Sequence, residues 1–212
     1  GSVEVSGLIL GRVLTNDSLA IQTAQNYYPG AEGQGVISVY PLSNLGGKPS
    51  TISSDHWLIG ASRDSLLLSP YSPTNGNDWS TRFRPFTVTQ MGTDGTVRRT
   101  ITGVNRVYPG GWLQRFSDPA AAATLAASTV GKDDDQTRAA WNALPTQIVD
   151  LNSGSTHDLT GGRAESVGVP TGPGLLISHE TADDNGSPQQ FWLSADADGH
   201  PHTENLEQFK DN

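Results

Sequence analysis

At 212 residues the chain is long enough for one domain with a sizeable core. Hydrophobic residues make up 34%, and the 24 glycines outside that count bring the apolar share into the range of globular proteins. A net charge of -9 disfavours nucleic acid and anionic membrane surfaces as partners, and the absence of cysteine excludes disulfides, thiolate zinc sites and cysteine nucleophiles.

The chain opens Gly1-Ser2 rather than with methionine, which reads as the remnant of a removed tag, with any signal peptide or membrane anchor expected upstream. Beyond it, runs of alternating apolar and polar residues predict strands. Gly7–Val13 and Ser18–Gln22 come first, followed by a hairpin of Val36–Tyr40 and Lys48–Ser53 turning at Gly46-Gly47. His56–Ala61 and Asp64–Ser69 precede a second hairpin, Phe86–Met91 and Thr96–Gly103, turning at Asp94-Gly95. A third hairpin, Gln147–Leu151 and Ser155–Gly161, turns at Ser153-Gly154. Glu165–Val169 and Gly174–His179 lead to a fourth, Phe191–Ala195 and His200 onward, turning at Asp198-Gly199. Glycine supplies the positive φ that tight hairpin turns need.

The turn glycines at 46, 95, 154 and 199 are spaced by 49, 59 and 45 residues. A four-stranded propeller blade occupies roughly 40–50 residues, and the long middle interval has a visible cause. Asp118-Pro119 reads as an N-cap and first helical residue, the alanines to Ala127 favour helix, and Gly131 stops it. Asp133-Asp134-Asp135 opens a second short helix through Trp141 and Leu144, and Pro145 ends it. This insertion at 118–144 is expected either to replace part of a blade's second strand or to lie outside the blade. The predicted fold is therefore all-β, one domain over 3–209 of four propeller-type antiparallel blades, roughly 3–54, 55–104, 105–162 and 163–209. Val3-Glu4-Val5 is expected to complete the last blade near Glu207–Phe209 as an outer strand.

Val149-Asp150-Leu151-Asn152-Ser153-Gly154 with Leu159-Thr160, and Met91-Gly92-Thr93-Asp94-Gly95 with Ile101-Thr102, resemble the repeat of β-propellers found in bacterial envelope proteins. The resemblance implies a blade fold and brings no catalytic residue with it. It implies an extracytoplasmic module, periplasmic or at the cell surface, tethered by an anchor outside this sequence. Arginine over lysine and abundant alanine suggest a high-GC, actinobacterial source. Among envelope modules of this size, accessory factors of mycolate-type glycolipid transport fit the setting, although no motif singles them out.

Catalytic motifs are missing from the sequence: there is no Gly-x-Ser-x-Gly and no glycine-lysine phosphate loop. His200-Pro201-His202 has a chelating spacing, yet a polar hairpin rim explains it, and so no metal or other cofactor is expected. The oxygen-rich turns Asp183–Gly186, Asn75–Asp78 and Asp196–Gly199 read as solvated loops. Asp55, Asp64, Asp118 and Glu165 are candidate acids for a glycosidase pair at the mouth of a funnel. Most tryptophans are expected between blades. The two Tyr-Pro-Gly turns stand apart, and Tyr27, Tyr28, Tyr108 and Trp112 are expected to be partly exposed anchors at one common rim. The functional expectation is a non-enzymatic interaction or scaffold module whose partner is an envelope membrane protein or a lipid or glycan ligand. A small-ligand or glycan-binding propeller, or a degenerate glycosidase, is the alternative.

Overall fold

The computed structural model describes residues 2–24, 35–70, 85–132, 134–159, 165–166, 174–179, 189–195, 198 and 200–205. Among these the chain is mostly β, in three antiparallel sheets. The first sheet runs β1 (Leu8–Leu14), β2 (Ser18–Ala24), β3 (Gly35–Pro41), β4 (Ser50–Ser54) in spatial order. The second contains β5 (Trp57–Ala61), β6 (Ser65–Ser69), β7 (Phe86–Gly92), β8 (Val97–Tyr108), β9 (Trp112–Phe116), β10 (Thr146–Asp150) and β11 (Thr156–Leu159), each paired to the next. The third is β12 (Glu165–Ser166), β13 (Gly174–His179), β14 (Gln189–Ala195) and β15 (Pro201–Asn205).

Most strands fall where the alternating runs predict them, but β9 and the last part of β8, residues 104–108, are not among those runs, and the expectation of four separate sheets is corrected. The sheets number three, of four, seven and four strands, because one long strand serves two partners. The first part of β8 pairs with β7 and its last part with β9, and Val104 faces both Phe86 and Arg115. Val97 lies opposite Met91, beside the β5–β6 turn, and Gly111 at the far end of β8 also packs on that turn, where an added Cβ would fall 2.8 Å from Ser62 Cα. Both ends of β8 therefore lie at the same end of the sheet, and the strand doubles back between them. Gly103, with φ +72°, supplies the left-handed residue that the reversal requires. Of the other turn glycines, Gly95 and Gly154 have the expected positive φ, +87° and +80°. Gly46 and Gly47 do not: a 3-10 turn at Leu42–Asn44 makes that connection, and Gly47 N–H donates to Asn44 O at 3.1 Å. Gly199 lies outside the described residues.

The first two sheets share a core of Ala20, Ile37 and Val39 with Leu58, Leu66 and Leu68. They approach so closely that a Cβ on Gly11 of β1 would fall 2.5 Å from Leu58 O. Both strands are bulged there, between Ile9 and Gly11 and between Leu58 and Gly60. Sheets meeting this way leave β5 backbone groups without a strand partner, and Gln22 of β2 supplies one. Its side chain is fully buried, Oε1 accepting from Leu58 N at 2.8 Å and Nε2 donating to His56 O at 2.7 Å. The third sheet joins through Leu193, which packs on Tyr108, Trp112, Ile148 and Leu159, and through Phe191, whose ring lies 5.9 Å from His157.

The insertion lies outside the sheet. Between β9 and β10, which stay paired from Trp112–Asp150 to Phe116–Thr146, stand α1 (Pro119–Ser128) and α2 (Asp135–Asn142). Asp118 caps α1 by accepting from Ala120 N and Ala121 N, and Asp134 caps α2 by accepting from Thr137 N. Ser117 N–H donates to Pro145 O at 2.9 Å and pins the base of the excursion. Its apolar side folds down: Phe116, Ala122 and Trp141 form a small core, with the two rings 5.5 Å apart. No helix among the described residues is long and apolar enough to cross a membrane. Val3–Val5 form no strand in the structure, contrary to expectation, and 207–209 lie outside the described residues.

Replacing Gln22 with leucine roughly keeps the volume and orphans the buried Leu58 N–H, while His56 O keeps only its bond from Ser54 Oγ. The expected cost is that of one unsatisfied buried group, about 1–3 kcal/mol. Urea unfolding measures it as a lower midpoint.

Candidate functional site

The two ends of the sheets are built differently. At one end short turns are tied to each other. Thr15 N donates to Ser18 O, Ser18 N to Thr15 Oγ1 and Ser18 Oγ to Asp17 Oδ1, at 2.9, 3.0 and 2.9 Å. Ser62 N donates to Ser65 O and Ser65 Oγ to Asp64 Oδ1, both at 2.9 Å. The same Ser/Thr-x-Asp-Ser turn thus recurs from residue 15 to residue 62, a spacing of 47, and is a repeat signal the turn glycines do not carry. Asn16 N then donates to Arg63 O at 2.8 Å, Arg63 N to Asn152 Oδ1 at 2.6 Å and Asn152 Nδ2 to Gly110 O at 2.7 Å. Four turns from different parts of the chain become one hydrogen-bonded rim. The Asp150-to-Gly154 turn belongs to it, with buried Asp150 accepting from Asn152 N and Ser153 Oγ at 2.8 Å each.

Tyr108 and Trp112 belong to this rim's underside, and the expectation that they are exposed anchors is corrected. They are 6% and 4% exposed. They face each other as the last pair of β8 and β9, closing a tight turn in which Gly110 and Gly111 both have positive φ, so their rings follow the strand faces inward. Tyr108 OH donates to Gln114 Oε1 and Gln114 Nε2 to Thr146 Oγ1, each at 3.0 Å, which satisfies the buried phenol. Tyr27 and Tyr28 lie outside the described residues. The strand end that precedes them, Ala24, pairs with Leu8 at the far end of β2 from the Thr15–Ser18 turn. Tyr108 lies at the Thr15–Ser18 end, and the common rim expected for the two tyrosine turns rests on residues outside the described set.

At that other end β2, β6 and β9 run into the connections 25–34, 70–85 and 117–145. The short β4–β5 link, Asp55-His56, emerges beside them. His56 Nδ1 and Asp55 Oδ1 are 2.6 Å apart, and this bond holds the Asp55 carboxyl below its usual range. With Nδ1 protonated toward the carboxylate, a neutral His56 presents Nε2 as an acceptor. Ser54 Oγ accepts from His56 N at 3.0 Å and donates to His56 O at 3.1 Å, which fixes the link.

The candidate acids do not form a pair. Asp55 and Asp64 flank β5 at opposite ends, about 17 Å of strand apart at ~3.3 Å per residue, well beyond the roughly 5–9.5 Å of glycosidase acids. Asp64 is engaged by Arg98 at 2.7 Å and by Ser65, which lower its pKa. Asp118 caps α1, and the Glu165 side chain is outside the described set. Among the described residues no group of three His, Cys, Asp or Glu could hold a metal ion. His202, on exposed β15, lies 3.4 Å from Glu204. Trp57 is buried at the start of β5, whereas Trp141 is buried within the insertion against Phe116 rather than between sheets.

No protein-family model matches the chain, and no curated protein does. Solved structures that match include a mutant of Synechocystis apocarotenoid oxygenase, with 14% identity and a TM-score of 0.39 over 95% of this chain and 50% of that one. An engineered GH43 glycoside hydrolase matches with 15% identity and a TM-score of 0.29 over 94% and 40%. A eukaryotic initiation factor matches with 11% identity and a TM-score of 0.33 over 96% and 56%. The chain thus spans about half the length of these proteins or less. Because the matches include an oxygenase and a glycoside hydrolase, the expectation that the chain is not an enzyme is withdrawn. At these scores the likeness carries nothing further about its chemistry.

Two outcomes follow from the buried set. Trp112→Ala is expected to cost about 3–5 kcal/mol in denaturant unfolding, as for other buried aromatic truncations. His157, half-buried against Phe191, has its pKa lowered by burial, with Asp158 opposing. A base with a depressed folded pKa contributes stability above its unfolded pKa, near 6.5, and that contribution fades as pH falls through the folded value. The melting temperature of the wild type is therefore expected to fall more than that of His157→Gln between pH 7.5 and pH 5.5, with about neutral pH as the reference.

Proposed function

We propose that the chain is a propeller-type module of a bacterial envelope protein that binds its partner at the end carrying the long connections. The blades in this reading are roughly 3–54, 55–104, 105–162 and 163–209, with β1, β5, the last part of β8 and β12 as the inner strands. The observation that supports it is the asymmetry of the ends. Hydrogen bonds among four turns commit one end to holding the sheets together, whereas the connections 25–34, 70–85 and 117–145 depart from the other end. The partner is an extracytoplasmic membrane protein, or a lipid or glycan ligand, met by a module tethered through an anchor. A transport accessory role for envelope glycolipid is one setting for it.

Tyr27 and Tyr28 in the connection 25–34, and His56 beside it, are the anchors in this reading; Tyr108 and Trp112 are structural. Chemical cross-linking in native membranes, followed by mass spectrometry, and a glycan array identify the ligand class. Against that ligand, Tyr27→Ala with Tyr28→Ala is expected to weaken binding about tenfold or more while the melting temperature holds. Asn152→Ala at the opposite rim is expected to do the reverse, lowering stability and leaving affinity intact. Equal binding loss from both would remove the distinction between the ends on which the proposal rests.

A further inference from the structure

Sheets of this kind expose outer edge strands, and edges that stay monomeric carry charges, proline or bulges that block another strand from adding. The described outer strands follow that rule with one exception. The first part of β8 carries Arg98 and Arg99, β11 carries His157 and Asp158, and β15 begins with Pro201 and carries His202 and Glu204. By contrast β4 is Ser50-Thr51-Ile52-Ser53-Ser54, without an ionisable group, a proline or a break in its register with β3. It ends the first sheet, and Ser50, Thr51 and Ser53 are exposed. Ile52 packs inward, beside the Gly95 turn.

We infer that β4 is a self-association edge, pairing antiparallel with β4 of a second copy about a two-fold axis at Ile52. The sequence around that axis is close to palindromic. Ile52 meets Ile52 on the axis, position 51 meets 53 of the other copy and 50 meets 54, so each pair flanking the axis within the strand joins two hydroxyl residues. An isologous contact needs such self-complementarity. The flanks agree with the antiparallel sense and oppose the parallel one. Exposed Lys48 precedes the strand and Asp55, 81% exposed, follows it. The two-fold sets Lys48 opposite position 56 of the partner, next to that copy's Asp55, and does so twice. Parallel pairing would instead stack lysine on lysine and aspartate on aspartate.

Sedimentation equilibrium of the purified chain between about 1 and 100 μM tests this, a range set by the micromolar affinities of modest interfaces. A concentration-dependent dimer is expected. Thr51→Lys with Ser53→Lys sets like charges opposite each other and is expected to raise the dissociation constant about tenfold or more. Lys48→Asp alone is expected to weaken the dimer, and Lys48→Asp combined with Asp55→Lys to restore it. That restoration separates edge pairing from a folding defect, and circular dichroism of each variant confirms the fold. A wild type that stays monomeric throughout the range overturns the inference. So does a dimer indifferent to the lysine pair, or a charge swap that fails to restore it while the variants remain folded.

Discussion

The structure depends on how two sheets meet across Gln22. Strands β1 and β5 come together not as hydrogen-bonded neighbours but side by side, with Gly11 pressed on Leu58 O. A strand edge brought into the interior that way must have its amides satisfied by something other than a strand. A glutamine does it, because its side chain offers one acceptor and two donors in nearly the geometry of a peptide group. The apolar cluster of Ala20, Ile37, Val39, Leu58, Leu66 and Leu68 contributes most of the burial, but only with Gln22 in place does that burial leave no orphaned polar group beside it.

The same requirement shapes the rim of turns. Asn152 plays the part there that Gln22 plays between the sheets, accepting from Arg63 N and donating to Gly110 O. Two carboxamides thus bridge backbone segments far apart in sequence. Gly111 lets the rim close on Ser62, and Gly103 folds β8 so that its end reaches the rim at all. With that end committed to cohesion, the opposite end carries the insertion, the Asp55-His56 link and the longest connections. In the proposed reading, binding and cohesion are segregated along the strand direction.

Much of this is legible in the sequence where local chemistry decides. Asp94-Gly95 and Ser153-Gly154 mark hairpins because positive φ is costly for other residues, and Asp118-Pro119 marks a helix start because the cap and the fixed φ are local. Tyr108 and Trp112 were less legible: beside proline and glycine they look like a loop, and only the register that pairs them turns both rings into the core. Gln22 and Asn152 give no local sign, since a carboxamide in a strand or turn reads the same whether it meets water or a buried amide. Nor does Gly103 differ in its neighbours from a glycine that merely ends a strand. The acids show the same limit, for Asp55 and Asp64 are near in sequence and at opposite ends of β5.

Native-state hydrogen exchange followed by NMR tests the central claim, that these bridges join the sheets into one cooperative unit. The amides of Asn16, Leu58, Arg63 and Leu151, each bonded across a turn or sheet boundary, are expected to exchange together and only through global unfolding. Exchange of Leu58 and Arg63 at the rate of exposed turn amides, while the strand interiors stay protected, would contradict it.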